Sequence, residues 1–120
     1  MLQLSPKNLK VYQFSTELIK EVYQHTKTYP QEEQFVLVSQ LQRAAISVCS
    51  NLAEGAARNS KTEKKRFYEI SRSSLVEIDT QIEIPLILEY LKKNEILKLE
   101  EYLESVFKML SKMISNLENK

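Results

Sequence analysis

Hydrophobic residues recur every three or four positions along most of the chain, which is the spacing of one face of a helix. The clearest series lies in the second quarter and consists of Leu37, Leu41, Ala44, Ala45, Val48, Leu52 and Ala56. A similar series near the end consists of Ile96, Leu99, Leu103, Val106, Leu110, Ile114 and Leu117. Hairpin dipeptides are absent, so the pattern predicts an all-α fold.

Two further stripes are less regular. The first consists of Leu9, Tyr12, Leu18 (or Ile19), Val22 and Tyr23. The other consists of Phe67, Ile70, Ser71, Ser74, Leu75, Ile78 and Ile82, and its small serines allow a neighbouring helix to come close. Together the stripes predict one domain, residues 1–120, with helices over roughly 6–28, 30–57, 60–92 and 94–118. Short connections favour an up-down-up-down antiparallel four-helix bundle.

Local signals set the predicted helix ends. Ser5 is a good N-cap before Pro6, and Asn94 is the predicted N-cap of the last helix. Ser60 and Glu63 form a capping-box pattern at the start of the third helix. Pro85 predicts a kink or break in that helix, because proline lacks a backbone donor and collides with the preceding turn.

The composition limits the classes of protein that fit. One cysteine excludes an intrachain disulfide, and no apolar run is long enough to span a membrane. The N-terminus lacks the pattern of a signal peptide, so we expect a cytoplasmic protein without membrane contacts. Because a small bundle has a large surface for its volume, some apolar surface is expected to be buried between subunits.

Residues suited to catalysis or metal binding are few. His25 is the sole histidine, and Cys49 falls near an apolar stripe, where a thiol packs like a small hydrophobic residue. Glu77, Asp79 and Glu83 are interpreted as a solvated acidic face, and the Glu-x-x-His pairs of di-iron bundles are absent. We therefore expect no catalytic residue, metal or cofactor, and no enzymatic activity.

Charge is unevenly distributed although the net charge is only +1. Residues 42–72 hold seven basic residues against three acidic ones, and residues 77–104 are predominantly acidic. The candidate nucleic-acid-binding residues are Arg43, Arg58, Lys61, Lys64, Lys65, Arg66 and Arg72. Their positive charges suit contacts with nucleic-acid phosphates. The alternative is that these residues are simply the solvent-exposed start of a helix and bind nothing.

A polar stripe, here called the signature stripe, consists of Asn51, Glu54, Gly55 and Arg58. Its members share one helix face around the single glycine of the chain. Glycine inside a helix costs roughly 1 kcal/mol relative to alanine, so this position indicates a close approach of another backbone or a helix end. We predict that the stripe packs against a neighbouring helix or subunit, with Glu54 held by a basic partner or by backbone donors. A ligand or nucleic-acid site is the alternative.

Several motifs carry a resemblance to a known family. They are the segments 37–48 and 51–55, then Arg58, then Phe67-Tyr68 and the segment 73–81. With them the chain resembles bacterial four-helix-bundle proteins first noticed as open reading frames in the intervening sequences of 23S ribosomal RNA genes. Members often carry proline where Cys49 stands and a second glycine where Ala57 stands, and Pro85 is atypical.

The resemblance implies a cyclic homopentamer without known enzymatic activity. The family is also similar to the accessory variability determinant of diversity-generating retroelements, a basic pentamer that binds nucleic acid and a reverse transcriptase. We accordingly expect an oligomeric scaffold or accessory protein that associates with RNA or DNA through residues 58–72. A further protein partner, such as a polymerase, is left open. The alternative is a protein–protein adaptor that binds no nucleic acid.

Overall fold

The computed structural model describes residues 9–118. These residues form four α-helices: α1 (Lys10–Thr26), α2 (Ser39–Ala56), α3 (Lys61–Ile87) and α4 (Leu97–Glu118). A 3₁₀ turn (Gln31–Glu33) and a π-helix (Gln34–Val38) precede α2, and a second 3₁₀ turn (Lys93–Ile96) precedes α4. The described part of the chain has no strand, so the all-α prediction is confirmed.

The helices pack around a single core, and each touches two others. α2 packs on α1 and α3, and α4 packs on α3 and α1. Side-chain hydrogen bonds show that α2 and α3 are antiparallel, since Gln81 bonds to Gln40 whereas Ser74 bonds to Ser47. The described residues therefore form four packed helices, an arrangement consistent with the predicted up-down bundle. Within them no helix is both long and apolar enough to cross a membrane.

The core consists mainly of the predicted α2 and α4 stripes. All predicted members of these two stripes are buried except Ala56 and Leu117, which are half-buried. In α3, however, Tyr68 is buried, and Ile70 is exposed. In α1 the buried residues are Val11, Ser15, Leu18, Val22 and Thr26, so Leu9 and Tyr23 were wrongly placed in the core.

The chain between α1 and α2 differs from the prediction of one helix over 30–57. α1 ends at Thr26, and the backbone then passes through the 3₁₀ turn and the π-helix before regular α2 geometry begins at Ser39. Leu37 and Val38 are buried in the π-helix, whereas Phe35 is 94% exposed. The apolar period continued across this segment and gave no signal of the change in helical geometry.

The end of α3 is set by backbone hydrogen bonds just beyond Pro85. The helix runs through Pro85 and ends at Ile87, five residues before the predicted end. Tyr90 N–H donates to the Pro85 carbonyl at 2.8 Å, and Glu89 N–H donates to the Leu86 carbonyl at 3.2 Å. Glu89 has φ 64°, so these bonds form a Schellman motif with glutamate in the left-handed position usually taken by glycine.

The two predicted N-caps have different outcomes. Ser60 Oγ accepts a hydrogen bond from Glu63 N–H at 3.1 Å, which confirms the serine half of the capping box. Asn94 was wrongly predicted as a cap, because it lies inside the 3₁₀ turn that begins after Lys92. There the Glu95 carboxylate accepts from Lys92 N–H at 2.7 Å. The Ser5–Pro6 signal lies outside the described residues.

Candidate nucleic-acid interface and signature stripe

Gly55 lies where α2 and α3 come closest. A Cβ atom on this residue would lie 2.8 Å from two ring carbons of Tyr68 and 3.0 Å from the Phe67 Cβ. Real Cβ atoms do not come this close to other atoms, and Tyr68 is buried. A close approach is therefore found at Gly55, but by two aromatic side chains and not by the predicted backbone. The alternative of a helix end also fits, because α2 ends at Ala56.

Asn51 supports the same helix contact through serines. Its amide donates to the Ser47 carbonyl at 2.9 Å and to Ser47 Oγ at 3.0 Å. Ser74 Oγ of α3 donates to Ser47 Oγ at 2.9 Å, and buried Ser71 donates to the Val48 carbonyl at 2.6 Å. Small hydroxyl side chains thus join α2 to α3, as the serines of the third stripe indicated.

Glu54 and Arg58 form the exposed part of the signature stripe. Arg58 donates to the Glu54 carboxylate at 2.6 Å, and this carboxylate side chain is 50% exposed. The Arg58 guanidinium lies over the Phe67 ring, 4.9 Å from its centroid, and Arg66 lies 5.5 Å from the same centroid. Glu54 therefore has a basic partner, which lies in the turn after α2, and the pair is at the surface of the chain rather than packed under a neighbouring helix.

Lys64 has a structural role at the end of α2. Its ammonium donates to the carbonyls of Ala56, at 2.9 Å, and Gly55, at 3.4 Å. The last carbonyls of a helix lack intrahelical partners and carry the negative end of the helix dipole. A lysine here satisfies these acceptors, so Lys64 joins α3 to the end of α2.

Two other predicted residues face α4. Lys65 forms an ion pair with Glu118 at 2.8 Å, which raises the pKa of the lysine. Arg72 donates to Ser111 Oγ at 3.1 Å and lies 5.9 Å from the Phe107 ring centroid. These two cations consequently lie on the α4 side of α3, and Lys64 lies on the α2 side.

Arg43 is separated from the rest of the predicted set. It precedes Arg58 by 15 residues in the sequence, which is roughly 22 Å along a helix. It lines a shallow pocket with Glu77 and Gln81 of α3, near the other end of α2. The structure thus does not bring all seven basic residues into one patch.

The residues that remain together are Arg58, Lys61 and Arg66, here called the basic end. Arg58 lies in the turn between α2 and α3, and Lys61 and Arg66 lie in the first two turns of α3; both arginines contact the ring of the half-buried Phe67. Among the ion pairs of residues 9–118, none includes Lys61 or Arg66, and both residues are exposed. Stacked guanidinium groups and an exposed lysine are a chemically suitable surface for phosphates.

Tyr68 is the principal residue that the sequence patterns missed. It is buried against Gly55, and burial raises the pKa of its hydroxyl. The signal was present, since Tyr68 precedes Ser71 by three residues and Leu75 by seven, on the buried face of α3. Phe67, the neighbouring residue that was predicted to lie in the core, is only half-buried.

The remaining candidates show no sign of reactive chemistry. Burial raises the pKa of the Cys49 thiol, although a hydrogen bond with Tyr12 acts in the opposite direction. His25 lies 3.5 Å from Glu21 on α1. Within the described range no cluster of three or more metal-ligating side chains is found.

The fold and the α2–α3 contact define an all-α four-helix protein whose glycine-containing second helix packs tightly on the third. The family model named 23S rRNA-intervening sequence protein matches residues 7–112. This match covers most of the chain, and the chain therefore belongs to that family. No curated protein sequence matches the chain.

Proposed function

We propose that the protein is a non-enzymatic, self-associating scaffold that contacts RNA or DNA through its basic end. The observation that carries the nucleic-acid part is the pair of guanidinium groups, Arg58 and Arg66, over one Phe67 ring, in the helix that begins with the exposed Lys61. The ring restricts the orientation of both arginines, which lowers the entropy cost when they bind a phosphate. Arg58 also pairs with Glu54, and Lys64, Lys65 and Arg72 have intrachain partners, so Lys61 and Arg66 are expected to contribute most.

Self-association is supported by the exposed apolar side chains. Phe35, Ile87 and Leu97 are 94%, 75% and 61% exposed, and all lie in the half of the bundle opposite the basic end. Large apolar side chains left in water favour contact with another subunit. The family resemblance further suggests a closed ring of five.

The oligomer is expected to be a single closed species near five subunits. Light scattering and sedimentation of the pure protein measure its mass directly. Burying the exposed apolar residues between copies removes them from water, at about 25 cal/mol for each Å² covered. A clean monomer at micromolar concentration would contradict the scaffold proposal.

Nucleic-acid binding is expected to depend on Lys61 and Arg66. Replacing both with glutamine should weaken binding to every RNA and DNA sequence alike, because phosphate contacts carry no sequence information. The slope of log affinity against log salt should fall by roughly 1 for each phosphate that the variant no longer neutralises. Binding isotherms at several salt concentrations provide the measurement.

The matched control replaces Lys27 and Lys98, two exposed lysines at the opposite end of the bundle, with glutamine. This variant has the same net charge as the test variant and should keep the parental salt slope. If the parent protein binds no RNA or DNA even at about 50 mM salt, the nucleic-acid proposal fails.

The second candidate function is a protein–protein adaptor that binds no nucleic acid. It is favoured by the intrachain partners of Lys64, Lys65 and Arg72, which leave few cations for phosphates. The same exposed apolar residues then serve contacts with another protein. A closed oligomer that does not bind RNA or DNA at low salt would support this function.

A further inference from the structure

A groove separates α3 from α4 on the side of the molecule away from α2. Its volume is about 340 Å³, and the buried side chains of Leu75 and Leu103 form its floor. Val76 and Phe107 form apolar parts of its walls and remain 52% and 40% exposed. The groove therefore offers an apolar surface to a partner.

The helix register shows which residues face each other across this groove. Lys65 of α3 contacts Glu118 of α4, and Arg72 of α3 contacts Ser111 of α4. From the first contact to the second, the residue number rises by seven on α3 and falls by seven on α4, so the two helices are antiparallel. Continuing this antiparallel register places Val76 beside Phe107. The same register then places Asp79 opposite Glu104, and Glu83 opposite Glu100.

Carboxylates thus face carboxylates at one end of the groove. Among the ion pairs of residues 9–118, none includes Asp79, Glu83 or Glu100. Glu104 pairs with Lys108 on its own helix at 3.5 Å, and both side chains are largely exposed. Like charges across a groove repel, and a cation placed between them would be attracted by both.

We propose that this groove is the docking site of an amphipathic, basic helix from a partner protein. An apolar side chain of that helix would enter between Val76 and Phe107. Glu104 and Glu100, which both line the groove, are four residues apart on α4, or about 6 Å along a helix. Lysine or arginine side chains four residues apart on the incoming helix have the same spacing.

The charges also set the direction of the incoming helix. Lys108 lines the groove eight residues from Glu100, and Arg72 lies one turn before Val76 on α3, so an acidic residue of the partner is favoured at that end. Phosphate groups are repelled by the carboxylates, which excludes nucleic acid as the occupant. The proposal is independent of the nucleic-acid interface, because the basic end lies at the α2–α3 turn.

The test uses two fluorescent peptides of about 18 residues on an alanine–glutamine helix background. The first carries leucine on one face, followed by lysine four and eight positions later. The second has the same composition with both lysines moved to the opposite face. Fluorescence anisotropy at low salt should show binding of the first peptide and at least about tenfold weaker binding of the second.

The matched protein variants locate the site. Asp79→Asn with Glu104→Gln should weaken binding of the first peptide at least about tenfold, because the lysine nearer the leucine loses both of its carboxylate partners. Glu32→Gln with Glu101→Gln removes two exposed carboxylates outside the groove and should keep the affinity within about twofold. Equal affinity for both peptides, or equal affinity of both variants, overturns the proposal.

The oligomeric state separates this proposal from self-association. Light scattering of the Asp79→Asn, Glu104→Gln variant should give the same mass as the parent protein. If the mass changes, a second copy of the chain fills the groove, and the proposal of a separate basic partner is overturned. Circular dichroism of the same samples checks that the helices remain folded, and RNA or DNA binding should be unaffected.

Discussion

Replacing Gly55 with alanine is expected to lower the free energy of unfolding by about 1–2 kcal/mol, although alanine forms helices better than glycine. The added Cβ would lie 2.8 Å from the ring of Tyr68, which is buried, so the ring or the helix has to shift. Forcing a methyl group into a well-packed site typically costs about 1–3 kcal/mol. The gain in helix propensity is smaller than at mid-helix, because α2 ends one residue later.

Chemical denaturation of the parent, Gly55→Ala, Tyr68→Leu and the double variant measures this effect. In the Tyr68→Leu background the ring is absent, so Gly55→Ala should cost clearly less than it does in the parent. This coupling isolates the contact from the change in helix propensity. An increase in stability from Gly55→Ala in the parent would show that glycine is not required for the approach of α3.

Replacing Ser71 with valine is expected to cost about 2–4 kcal/mol, the largest effect predicted for this protein. Ser71 is fully buried between α2 and α3, and its Oγ lies 2.6 Å from the Val48 carbonyl oxygen. Valine both removes this hydrogen bond and adds a methyl group where the helices are close. Alanine removes only the hydrogen bond and should cost about 1 kcal/mol.

Thermal and denaturant unfolding of the two Ser71 variants provide the comparison. Ser73→Val at an exposed position of the same helix is the matched control and should stay within about 0.5 kcal/mol of the parent. Equal costs for Ser71→Ala and Ser71→Val would show that the helices separate easily here. In that case the hydroxyl contacts, rather than close packing, would hold α2 against α3.

The local sequence was sufficient to predict burial and capping where these depend only on neighbouring residues of the same helix. The α2 and α4 stripes have nearly ideal periods, and almost all their members are buried. The Ser60 cap depends on a backbone group three residues away and was predicted correctly. Gly55 was identified as a close-approach site because its cost within a helix needs a compensating contact.

Helix ends and helix geometry were predicted less well, because they depend on contacts beyond the local pattern. α3 ends with Glu89 in a left-handed conformation that favours glycine, so the residue type gave no warning. The π-helix before α2 contains the same apolar residues that an α-helix would contain. The packing of Leu37 and Val38 into the core accompanies this geometry, and the sequence period does not reveal it.

The roles of the charged residues were decided by tertiary structure. The sequence showed a basic segment, but it did not show that Lys64 would satisfy the end of α2. Nor did it show that Lys65 would meet Glu118, 53 positions later in the chain. A charge contributes according to the groups that surround it in space, and antiparallel packing brings together residues that are far apart in sequence. The hydrophobic period that predicts a helix is a property of the local sequence, whereas the partner of a charged side chain is determined only when the helices pack together.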